Sequence, residues 1–88
     1  MVEIMCSAIK LQPENSKYFH VFCGFRHADI YEFITKITKP SKAILCQEGF
    51  MTSDNQFVDR YQAARIAYDA RQITLKIPTL YSEDIWPE

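Results

Sequence analysis

The chain has 88 residues, 48% of them hydrophobic and 14% aromatic, with 10 basic and 11 acidic side chains and a net charge of −1. That length holds one domain, residues 1–88, and excludes a core with a separate accessory domain; the apolar content excludes disorder outside the ends. The near-neutral balance excludes the basic face of a general nucleic-acid binder and leaves open the local recognition of a small anion.

No charged-then-apolar leader opens the sequence, and no apolar run approaches the ~18 residues that a membrane span needs. A soluble, cytoplasmic protein without membrane contact is expected. A chain this small buries only roughly 60% of the surface that it exposes when unfolded. A shared interface would add stability, so a homodimer or higher homo-oligomer is expected. Cys6, Cys23 and Cys46 are odd in number, sit in apolar runs and lack CxxC spacing. They read as buried, reduced thiols.

Residues 2–11 alternate in part, with Val2, Ile4, Cys6 and Ala8 on one face and Glu3, Met5, Ser7 and Ile9 on the other, as in a strand with one buried face. The turn formers Gln12-Pro13-Glu14-Asn15-Ser16-Lys17 follow, then the β-favouring run 18–23, which together predict a hairpin. In residues 28–37 the spacing of Ile30, Phe33, Ile34 and Ile37 predicts a helix with one apolar stripe, stopped before Pro40. Asp29 suits its positive end, and Lys36 and Lys39 suit the other.

A third strand begins at residues 43–46, and Gly49 predicts a bulge or a close backbone approach. Ser53-Asp54-Asn55 predicts a second, smaller hairpin. Asp59 with Gln62 three residues on has the spacing of a capping box, opening a helix over 60–70. Ala63, Ala64, Ile66, Ala67 and Ala70 give that helix a small-residue face for close packing on a sheet or a partner helix. Residues 73–77 alternate like a short edge strand ending at Pro78, and residues 80–88 join large apolar side chains to acids in a tail that packs back or docks on a neighbour. The fold class expected is α+β, a small antiparallel sheet with hairpin, helix, strand and hairpin, helix, and a C-terminal strand or extended tail.

Gly24-Phe25-Arg26-His27 joins an expected strand to an expected helix. Unpaired N–H groups and the macrodipole attract an anion to such a helix start, Arg26 adds a planar fork suited to phosphate, and His27 adds a donor. Gly24, Phe25, Arg26 and His27 are therefore the candidate ligand-binding residues for a small phosphorylated ligand, with Arg60 reaching in from the second helix start. The competing structural reading pairs Arg26 with Glu48 or Asp59. His20 and His27 lack the spacing of a metal pair, so no metal and no cofactor are expected, and only Cys23 lies near enough to basic groups to be weighed as a nucleophile. Tyr61 and Tyr68, seven apart, are weighed as a base-stacking pair against an ordinary packing role.

Several pieces in one order carry a resemblance: Cys6-Ser7-Ala8-Ile9-Lys10, Gly24-Phe25-Arg26-His27, Gln47-Glu48-Gly49-Phe50, Phe57-Val58-Asp59-Arg60 and Leu80-Tyr81-Ser82-Glu83-Asp84-Ile85-Trp86. Spanning nearly the whole chain, they resemble a family of small bacteriophage and prophage proteins. That family often carries a glycine before the position of Gln72, where this chain has Arg71. The resemblance implies a host-cell cytoplasmic setting and action by binding. The leading expectation is a protein that sequesters a nucleotide or nucleotide-derived immune signal and so inhibits antiviral defence. The alternatives are an inhibitor that docks on a host defence protein through its tail or alanine face, and a small nucleotide phosphodiesterase with His27 as acid or base.

Overall fold

The computed structural model describes residues 1–86; Pro87 and Glu88, the end of the expected tail, lie outside them. The architecture is the expected α+β one, a four-stranded antiparallel sheet with its two longer helices on one face. Strand β1 (Ile4–Gln12) lies inside the sheet, between β2 (His20–Gly24) and β3 (Leu45–Thr52), and β4 (Phe57–Val58) completes the order β2-β1-β3-β4. Both expected hairpin pairings form, β1 with β2 and β3 with β4. The second turns through Asn55, whose φ of 61° is a left-handed conformation that Asn tolerates, and the Asn55 N–H donates to the Thr52 carbonyl.

The alternation expected for β1 is broken. Its register on β3 slips between Ile4 and Cys6, leaving Met5 as a bulge. One extra residue moves every later side chain to the opposite face, so Ile4 joins Ser7, Ile9 and Leu11 under the helices, all four buried. Cys6 and Lys10 face the open side of the sheet. The bulge thus lies opposite the end of β3 and not at Gly49, where the other expectation, a close approach, holds: a Cβ on Gly49 would stand 2.5 Å from Phe57 Cζ and fall onto the Val58 carbonyl.

Helix α1 (His27–Ile34) ends three residues before the expected stop. The N–H groups of Lys36 and Ile37 reach only three residues back, to Phe33 and Ile34, and the Thr35 hydroxyl bonds the Glu32 carbonyl. Half of the stripe is buried: Ile30 and Ile34 pack with Ile9 and Leu11, Phe33 lies exposed on the helix beside Phe22, and Ile37, in the tightened turn, is exposed. No basic residue falls in the last turn of the helix as built.

Helix α2 (Arg60–Asp69) has the expected capping box in full, Asp59 accepting from the Gln62 N–H and the Gln62 amide oxygen accepting from the Asp59 N–H. Its alanines 63, 64 and 67 are buried against Ile4, Phe50, Val58 and Leu80. The helix closes with a Schellman motif, Gln72 N–H to the Ala67 carbonyl and Arg71 N–H to the Tyr68 carbonyl. Arg71 sits at φ 60°, where glycine is favoured. The glycine that the resemblance implies at this position would take that conformation without strain. Arg71→Gly is expected to raise stability by about 1 kcal/mol, seen as a higher denaturant midpoint with unchanged slope.

The expected strand at 73–77 is not formed. The Gln72 side chain instead reaches across to the start of β1, its amide oxygen accepting from the Ile4 N–H at 2.7 Å and its amide nitrogen donating to the Ile4 carbonyl at 2.8 Å. That position of the ladder is thus taken by a side chain, and residues 73–77 cross the core by apolar contact, with Ile73 and Ile77 packed inward. The chain then returns over the domain. Leu80 is fully buried and its N–H donates to the Arg60 carbonyl, and a short helix α3 (Ser82–Ile85) lays Ile85 and Trp86 against the same core. Of the two fates weighed for the tail, packing back on its own domain is the one found.

The thiols differ from expectation. Cys23 is exposed and Cys6 half-buried on the open face of the sheet, which has no second layer, while Cys46 is exposed on the helix side, opposite Leu11 and 3.6 Å from the Tyr31 hydroxyl. All three are free. Burial, followed by the neighbouring Cys23, raises the Cys6 pKa to about 11.

Candidate functional site

The turn after β2 is built by packing. A Cβ on Gly24 would lie 3.0 Å from Ile30 Cγ1, so the glycine lets α1 fold back closely on its own strand. The Ser7 hydroxyl pins the turn by donating to the Phe25 carbonyl at 2.8 Å. Arg26 is the N-cap residue with extended backbone (φ −122°, ψ 144°), and its side chain makes no capping hydrogen bond to the helix start.

His27 turns inward. It is 6% exposed, and its Nε2 donates to the Gly49 carbonyl at 2.8 Å, which places the proton on that nitrogen. The ring stands edge-on to Phe50, centroids 5.2 Å apart. Burial lowers its pKa, the Gly49 carbonyl partly offsets this, and the Arg60 guanidinium adds to the lowering. The imidazole is accordingly neutral at pH 7 and joins α1 to β3.

Arg60 is the centre of the site. Its Nη1 donates to the Leu80 carbonyl at 2.6 Å, its Nη2 pairs with Glu48, and its guanidinium lies 4.5 Å from the centroid of the Tyr81 ring. Glu48 also accepts from the Tyr31 hydroxyl at 3.0 Å. Burial, with the Cys46 and Glu48 contacts, pushes the Tyr31 pKa up. Arg26 donates from Nη2 to the Trp86 carbonyl at 2.7 Å. The competing expectation named Glu48 or Asp59 as the acid for Arg26. Glu48 is instead the partner of Arg60, and Asp59 caps α2.

The two arginines, 34 positions apart in sequence, are thus brought to the same short C-terminal segment. Phe25 closes the group from the other side, its exposed ring 6.1 Å from that of Trp86. The Glu83 carboxylate lies in the field of both guanidinium groups. Its own backbone N–H and the Ser82 hydroxyl lower its pKa most, and Arg26 and Arg60 lower it further. Of the five candidate residues, Phe25, Arg26 and Arg60 therefore meet around residues 80–86, His27 lies behind them under Phe50, and Gly24 faces Ile30. Open concavities beside the turn, one of about 400 Å³ along Val21–Gly24 and α1 and one of about 220 Å³ at Cys6, Cys23, Gly24 and Phe25, are lined by neither arginine.

Tyr31 and Tyr81 belong to this framework and were not legible as such, and Glu48, expected as an acid for Arg26, serves Arg60, since each acts through a partner distant in sequence. The signal nearest to hand was Glu48 beside Gly49, an acid next to a residue under close approach. Tyr61 and Tyr68 are exposed on α2, and the alanine face is used up on the sheet. Among the described residues no three metal-ligating side chains cluster, and no helix is long and apolar enough to cross a membrane.

A two-layer α+β domain with a pair of arginines gathered under its own C-terminal segment is the class that fold and site define. The family model of the phage T4 y16D protein matches residues 3–86, and the chain belongs to that family of small phage proteins. No curated protein and no solved structure matches the chain.

Proposed function

We propose that this phage protein binds a nucleotide or nucleotide-derived immune signal and inhibits host antiviral defence by sequestering it. The observation that supports this reading is the convergence of Arg26 and Arg60 on residues 80–86 beside the rings of Phe25, Tyr81 and Trp86. A nucleotide is recognised by this combination of chemistry: a planar cation for phosphate and aromatic faces for the base. The carbonyls of Leu80 and Trp86 and the Glu83 carboxylate stand in for phosphate oxygens, and the ligand takes their place. Phe25 supplies stacking area, while Gly24 and His27 hold the turn against α1 and β3.

Calorimetric titration of the protein with cyclic dinucleotides tests the reading. Micromolar or tighter binding is expected, and Arg26→Ala is expected to weaken it at least tenfold, since a charge-assisted hydrogen bond contributes about 1.5–3 kcal/mol. Absence of binding by the unmodified protein, or binding indifferent to Arg26→Ala, refutes it. Chromatography of the titrated nucleotide separates holding from cleavage, because a sequestering protein returns it intact.

A further inference from the structure

The two edges of the sheet differ. At one, β4 is two residues long and runs at once into α2, so it offers no template. At the other, β2 presents five residues, and among the described residues nothing hydrogen-bonds to its outer side. Natural sheets protect such an edge with charge, proline or a bulge. His20-Val21-Phe22-Cys23-Gly24 has no Lys, Arg, Asp, Glu or proline and pairs with β1 without a register shift. Along this edge runs the groove of about 400 Å³, walled by β2 on one side and by Asp29, Ile30 and Phe33 of α1 on the other. Phe33 is 55% exposed and lies 6.2 Å from the Phe22 ring at the groove's middle.

We propose that a second copy of this chain pairs antiparallel with β2 about a two-fold axis through Phe22, joining the two four-stranded sheets into one. The edge is self-complementary in that register. Phe22 meets Phe22, Val21 meets Cys23, and His20 meets Gly24, so no like charges are opposed across the ladder. Because α1 runs back antiparallel to β2, Asp29 stands at the Gly24 end of the groove. His20, on the same face of the sheet as α1, is therefore delivered beside the Asp29 carboxylate of the second copy, and the symmetry makes this contact twice. The exposed Phe33 rings of both copies close over the paired Phe22 residues, filling the groove that each chain alone leaves open. A peptide from an unrelated protein would satisfy the backbone edge but not this reciprocal set of side chains.

Sedimentation equilibrium on the full chain tests the proposal. A species of twice the 10.3 kDa chain mass is expected at micromolar concentration. The double variant Val21→Lys/Cys23→Lys opposes ammonium groups at both flanking pairs, on side chains that are already exposed, and is expected to weaken the dimer at least 100-fold with an unchanged far-ultraviolet circular dichroism spectrum. In a Cys6→Ser/Cys46→Ser background, Val21→Cys is expected to yield a disulfide-linked dimer through Cys23 on mild oxidation. A monomer at all concentrations, or a dimer that withstands the double lysine variant, overturns the proposal; so does a Val21→Cys protein that oxidises without crosslinking.

Discussion

Gly49→Ala is expected to lower stability by about 2–6 kcal/mol. The added Cβ would meet the Phe57 ring and the Val58 carbonyl. The ring can rotate away. The carbonyl cannot, because Phe57 and Val58 are the whole of β4 and are held by pairing with Met51 and Phe50. Relief must come from moving β3 or losing β4. Overpacking of this kind costs about 1–3 kcal/mol by itself. Moving β3 also displaces the Gly49 carbonyl, which accepts the buried His27 N–H, and a buried donor without a partner costs about 1–3 kcal/mol more. Thermal denaturation should show a midpoint lower by ~15 °C or more in a domain of this size. A midpoint within a few degrees of the unmodified protein would mean that β4 is not anchored as described.

The local rules held where one stretch of chain decided the outcome. Asp59 and Gln62 cap α2 because a helix start needs only the residues around it, and Asn55 takes the left-handed turn because its neighbours are the turn. Periodicity placed the strands and both helices. It failed where a distant partner intervened. The Met5 bulge turns half of β1 over, and nothing in Val2-Glu3-Ile4-Met5 announces it; the Ile4 backbone is held by the Gln72 side chain, 68 positions on. The same amide contact takes the position at which residues 73–77 would have entered the ladder, so a good strand pattern yields an extended strap. At the site, Arg26, His27 and Arg60 were legible as residue types in a promising setting. Their division of labour was not, because burial sends His27 to Gly49, while the return of residues 80–86 decides what the two arginines touch.

Arg60→Ala should release that returning segment before the rest of the domain unfolds. The guanidinium donates to the Leu80 carbonyl, pairs with the half-buried Glu48 and lies on the Tyr81 ring, while the Arg60 backbone carbonyl accepts from Leu80 N–H. The substitution keeps the backbone bond and removes the other three contacts. A hydrogen bond from a charged donor contributes about 1.5–3 kcal/mol and a cation–π contact about 0.5–1 kcal/mol, with the partly exposed ion pair adding little. A loss of about 2–3 kcal/mol is therefore expected, concentrated in residues 80–86. Trp86 is the single tryptophan, which makes the segment visible by itself. In Arg60→Ala its fluorescence should shift to the red, and become open to acrylamide quenching, at denaturant concentrations where circular dichroism still reports a folded sheet. Glu48→Gln, which spares the Leu80 bond, should keep the two transitions together. If Trp86 and the sheet report one coincident transition in Arg60→Ala, the segment is held by the apolar contacts of Leu80, Ile85 and Trp86 alone, and Arg60 is not what fastens it. Arg26→Lys sharpens the comparison. It retains charge but not the planar fork, so a tail that loosens in Arg60→Ala and stays closed in Arg26→Lys assigns the fastening to Arg60 and not to the fork geometry of Arg26.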